Sequence, residues 1–124
     1  MPQLHEPIRT ALALSQALQP LATQAGADPD AMGEACAMAD LLRVRLDRIN
    51  GDAADAEHPA ADRLAQAWAV AACLARDLPA AGSDVDAQAR AAVLAGLVPE
   101  LLSQAVTLAA VSDASPRPSA SAQS

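Results

Sequence analysis

The sequence predicts an all-α fold, a four- or five-helix up-down bundle with a central antiparallel helical hairpin. Three observations carry this. Of 124 residues, 34 are Ala and 16 Leu, against seven Val, two Ile and three Thr, and strands draw on the β-branched and aromatic residues that are scarce here. Apolar residues recur at alternating three- and four-residue spacings, the period of a helix face packed in a seam. Prolines stand where helices begin: Pro7, Pro29, Pro59 and Pro99 each precede a helix-favouring run, and a missing N–H costs nothing in a first helical turn.

The first helix is expected over Pro7–Gln19, with Leu4, Ile8, Ala11, Leu12, Leu14 and Leu18 as its apolar positions. Pro20 should stop or kink it, because the ring clashes with the preceding turn. The second helix is expected over Pro29–Ile49. Asp28 is its N-cap, Asp30 and Glu34 suit the positive end of the helix dipole, and Arg43, Arg45 and Arg48 suit the negative end, with Asn50-Gly51 as terminator. Its stripe is Met32, Ala35, Ala39, Leu42, Leu46 and Ile49.

The third helix, Pro59–Leu78, carries Leu64, Ala67, Trp68, Ala71, Leu74 and Leu78 and ends at Pro79 and Gly82. Folding these two helices about the linker Asn50–His58 brings Leu46 to Leu64, Leu42 to Ala67, Ala39 to Ala71, Ala35 to Leu74 and Met32 to Leu78. Large residues then meet small ones or other leucines, as interdigitation requires. Beyond Ser83, whose spacing to Asp86 resembles a capping box, a fourth helix is expected over Asp84–Leu97. Gly96 and Pro99 should break it before a last run, Glu100–Val111. Residues 1–111 thus form the helical domain, and the Ser/Ala/Pro-rich segment 112–124 reads as a disordered tail. No repeat of fixed period is read, since the helices share composition only.

Net charge is −7 with a pI near 4.5, and all eight cations are Arg. Such a field repels phosphate, so no nucleic-acid role is expected. Arg without Lys and abundant Ala are what a GC-rich coding sequence produces, which points to a bacterial source. Leu64–Ala75 and Leu101–Ser112 are the longest uncharged stretches considered as membrane spans, and both fall short of roughly 20 residues. A secretory leader over Thr10–Ala22, with Ala25-Gly26-Ala27 as cleavage site, is opposed by Glu6 beside Arg9 and by Ser15, Gln16, Gln19 and Pro20 within its apolar part. A cytoplasmic protein without membrane attachment is the expectation.

Few residues can carry chemistry. His58 stands with Glu57, Asp55 and Asp52 in an acidic linker, but no ligand spacing of a known metal site occurs, so no metal and no cofactor are expected. Cys36 and Cys73 read as small core residues, set on helix faces too far apart for a disulfide. With no phosphate loop, nucleophile motif or general base beside a cysteine, no catalytic residue is assigned.

One feature points to a partner. The second helix carries another apolar line, Ala37, Met38, Leu41 and Val44, away from its core stripe. Either the first or the last helix covers it, or it binds a protein. Met38, Leu41, Val44, Arg45 and Arg48 are therefore the candidate interface of a non-enzymatic interaction or dimerisation module, with another protein or a second copy as partner. The alternative is a bundle holding a small molecule or lipid, with Trp68 and Met32 as pocket walls.

Overall fold

The computed structural model describes residues 4–114, which form four α-helices and no strand. Helix α1 spans His5–Gln24, α2 Pro29–Asp55, α3 Ala61–Asp77 and α4 Val85–Ala114, with a single 3-10 turn at Leu78–Ala80. α1 and α3 each pack on both α2 and α4. Short turns make sequence neighbours antiparallel. Met32, near the start of α2, packs against Gly82, just past α3, and Gln88, near the start of α4, bonds Ala22 and Thr23 of α1. The bundle is therefore up-down throughout, with the α2–α3 hairpin at its centre.

Three expected breaks are continuous helix. α1 runs through Pro20, α2 runs six residues past Ile49 through Asn50-Gly51, and α4 runs through Gly96 and Pro99, joining the two expected last helices into one. The core seam explains each. Ala22 beyond Pro20, Ala53 beyond Gly51 and Leu102 beyond Pro99 are fully buried, so packing on the far side of each weak residue keeps the backbone helical. Pro20 is itself exposed, which lets water satisfy the carbonyl it leaves unpaired.

α4 also extends to Ala114, past the expected end at Val111; the rest of the expected tail lies outside the described residues. Conversely, α3 begins at Ala61 rather than Pro59. Between α2 and α3, the His58 N–H donates to the Ala53 carbonyl at 2.9 Å, and Glu57 takes a left-handed backbone (φ 50°) to close the turn.

The buried residues reveal a repeat that composition conceals. From Leu4 to Ala60 is 56 residues, as it is from Ile8 to Leu64, Leu18 to Leu74, Leu46 to Leu102 and Ala53 to Ala109. Every buried seam position of α1 and α2 has a buried counterpart at this offset in α3, α4 and the turn residues at their ends. The α1–α2 turn reads Ala25-Gly-Ala-Asp-Pro-Asp-Ala31 and its counterpart Ala81-Gly-Ser-Asp-Val-Asp-Ala87. Both turns cap the next helix in the same way. Asp28 accepts from the Asp30 N–H at 3.0 Å and Asp84 from the Asp86 N–H at 2.9 Å. The expected Ser83 capping box is thus replaced by Asp84, while Ser83 turns back to the Ala80 carbonyl.

The halves are related by a pseudo-twofold. A Cβ on Gly26 would lie 3.0 Å from Gln88, and one on Gly82 would lie 3.1 Å from Met32. Residues 32 and 88 are themselves 56 apart, so exchanging the halves turns one contact into the other.

Candidate functional site

The outward face of α2 follows from its seam. With Ala35, Ala39, Leu42, Leu46, Ile49 and Ala53 turned inward, residues about a third of a turn away lie beside α1 or in solvent. Leu41 is 46% exposed and Val44 57% exposed, so neither α1 nor α4 covers them. Met38 differs from the other candidates, being partly buried and packed on the core. Leu41, Val44, Arg45 and Arg48 come together with Ile49 and Asp52 along one wall of a groove of about 600 Å³ between α1 and α2, faced by Glu6, Pro7 and Thr10.

The arginines do not serve the helix terminus expected of them. α2 ends at Asp55, and its last turn carries no basic residue, so Arg43, Arg45 and Arg48 sit one and a half turns or more from the terminus, where the dipole has faded. Arg43 instead approaches Asp40 at 3.9 Å, while Arg45 and Arg48 make no ion pair among the described residues. Two unpaired guanidinium groups thus flank two exposed aliphatic side chains.

α4 holds the larger apolar surface. Val93 is 62% and Val111 64% exposed, with Leu97 and Leu108 also on the surface. Val93, Leu97, Leu101, Leu108 and Val111 fall on one face at helical spacing. Treating Gly96 and Pro99 as a break split this stripe in two; the signal was present in the three- and four-residue spacings across them. A recess of about 300 Å³ on this face is lined by Ala89, Arg90, Val93 and Leu94. Val85–Ser112 is long and apolar enough, by length and composition alone, to cross a membrane. Its other face, from Ala87 through Ala91, Ala95, Val98 and Leu102 to Ala109, is packed inside the bundle.

The remaining candidates have structural surroundings. Trp68 is half-buried against the core, and its indole N–H has no hydrogen-bond partner among the described residues. Met32 is also partly buried and reaches Gly82. Neither lines the α1–α2 groove, the α4 recess or the roughly 370 Å³ hollow between the two inter-helix turns. His58 is buried, and its Nδ1 accepts the Ala60 N–H at 3.0 Å, so it closes the α2–α3 turn. Among the described residues no three His, Cys, Asp or Glu side chains gather as a metal site. Cys36 and Cys73 are free and half-buried, and burial first, then the nearby Asp40 carboxylate, pushes the Cys36 thiol above its ordinary pKa. A thiol so placed is a weak nucleophile. Comparison of the chain with protein-family models, with curated proteins and with solved structures found no match.

Proposed function

We propose that this chain is a non-enzymatic interaction module that docks a helix of a partner protein in the groove between α1 and α2. The observation that carries the reading is the conjunction of exposed Leu41 and Val44 with Arg45 and Arg48, which lack ion-pair partners among the described residues. Aliphatic side chains one helical turn apart, as Leu41 and Val44 are, take up the apolar face of an amphipathic helix. Guanidinium groups at the rim select carboxylates beside that face. The occupant is accordingly an acidic amphipathic helix.

The test uses two synthetic helical peptides, each with Leu at i, i+4 and i+7, one flanked by Glu and the other by Lys. Fluorescence anisotropy should show saturable binding of the Glu peptide and at least tenfold weaker binding of the Lys peptide. Replacing Arg45 and Arg48 together by Glu should reverse that order. Equal binding of both peptides, or of neither, overturns the reading.

A further inference from the structure

We propose that the apolar face of α4 is the contact between two copies of this chain, paired antiparallel about a twofold axis near Ala95. This rests on the interaction-module reading but uses a different face. α4 carries only two charges between Ala87 and Ser112, Arg90 and Glu100. Each stands five residues from Ala95, one on either side, about 7.5 Å along the axis at the helical rise.

In an antiparallel pair centred there, Arg90 of each copy meets Glu100 of the other, and Val93 meets Leu97 of the second copy. The same register sets the recess at Ala89, Arg90, Val93 and Leu94 against Leu97 and Leu101 of the second copy. An isologous contact makes every such pairing twice, so a single register matches both charges and both apolar pairs.

Each charge keeps donor or acceptor capacity for a partner across the interface. Glu100 makes no ion pair among the described residues. Arg90 approaches Asp77 at 3.4 Å through Nε, which leaves its two terminal amino groups for a carboxylate across the interface. Within one chain Arg90 and Glu100 are about 15 Å apart along the helix, too far to pair. The equivalent face of α2 cannot repeat this arrangement, because it has Glu34 and Val44 where α4 has Arg90 and Glu100.

In this register residues 85–105 of the two helices overlap, a strip about 30 Å long and one helix wide that covers roughly 300 Å² on each copy, below the standard interface size, so the dimer is weak and concentration-dependent. Sedimentation equilibrium of the full chain from 1 to 500 μM should show the weight-average mass rising from 12.6 kDa toward twice that value. Arg90→Glu alone and Glu100→Arg alone should each weaken association at least tenfold. The two together should restore it to within threefold of the parent chain, while circular dichroism confirms unchanged helicity in all three.

Val93→Asp should abolish association outright. A chain that stays at 12.6 kDa throughout overturns the proposal, as does a dimer lost on Leu41→Glu but kept on Val93→Asp. Single charge variants that leave association unchanged overturn it too. So does binding to phosphatidylcholine vesicles that Val93→Asp abolishes, which would reassign the stripe to a membrane surface. Peptide binding in the α1–α2 groove is measured separately, so a monomer that binds the Glu peptide refutes only the dimer.

Discussion

Leu41 on α2 and Leu97 on α4 hold equivalent positions 56 residues apart, and both reach the surface. Around Leu41 the chain sets Arg45, Arg48 and Asp52; at the same three offsets from Leu97 it sets Leu101, Gln104 and Leu108. Inside, the halves agree: Leu18 matches Leu74, Leu46 matches Leu102, and alanines face the same way at 35 and 91, 39 and 95, 53 and 109. The comparison separates what the fold requires from what it leaves open. A seam filled at a fixed spacing by Ala and Leu specifies the bundle twice over, because each helix must bury the same stripe against two neighbours. The outward positions carry no such demand, and there one half is charged while the other is apolar. One repeated scaffold thus presents two chemically different outward faces.

The largest effects should come from the shared seam. Leu46→Ala and Leu102→Ala each remove a fully buried side chain from layers where many neighbours are already Ala and cannot move in to fill the space. Each should cost about 3–4 kcal/mol, read from urea denaturation midpoints. Equal losses within about 1 kcal/mol mark the halves as energetically equivalent; a twofold disparity would show that one hairpin dominates the core.

The two turn glycines should break the equivalence. A Cβ on Gly26 meets the Ala81 carbonyl oxygen at 3.2 Å as well as Gln88, which is itself tied to Ala22 and Thr23. A Cβ on Gly82 meets only the end of Met32, whose thioether swings aside readily. Neither glycine has a positive φ, so alanine is sterically allowed at both and stiffens the unfolded chain. Gly26→Ala should therefore lower stability by about 1–2 kcal/mol through crowding. Gly82→Ala should be neutral or raise it by a few tenths, both read from thermal melts.

The N-caps should restore the symmetry. Asp28→Ala and Asp84→Ala each delete an acceptor for the N–H two residues on, at a cost of about 1 kcal/mol each. The helices they start share few direct contacts, so the double variant should lose the sum, within about 0.4 kcal/mol. A loss confined to Asp28→Ala would mean that α4 is held at its N-terminus by Gln88 instead.

Much of this was legible in the sequence, and the rest was hidden for physical reasons. The seams of α2 and α3 and the Asp28 cap are local patterns that lie where their spacing predicts, except that Ala31 rather than Met32 is the first buried position of α2 and Trp68 is only half-buried. Pro20, Asn50-Gly51 and Pro99 misled because their local preferences, of order 1–3 kcal/mol, are outweighed by buried residues on both sides, which only the assembled bundle supplies. The repeat escaped because its constant residues are mostly alanines in a chain full of them; the Ala-Gly-x-Asp-x-Asp-Ala turns at 25–31 and 81–87 were its readable signal. Of the candidate site, Leu41, Val44, Arg45 and Arg48 were found from their misplacement on a helix back. The α4 stripe was lost with the helix that carries it.

The smallest expected effect tests a position where the halves differ inside. Cys36 corresponds to Ala92, and its thiol is held above its ordinary pKa by burial and by Asp40. The folded chain therefore keeps this proton at pH values where the unfolded chain has released it. Stability must then fall as pH rises past the unfolded cysteine value of about 8.5. The chain contains no Tyr and no Lys, so few other groups titrate in that range. Between pH 8 and 10 the parent chain should lose more stability than Cys36→Ala. Asp40→Asn should remove only the smaller part of that slope, because burial is the larger cause. An identical alkaline slope in the parent and Cys36→Ala would mean that the thiol is as well solvated folded as unfolded, and that α2 is looser around Cys36 than its packed seam implies.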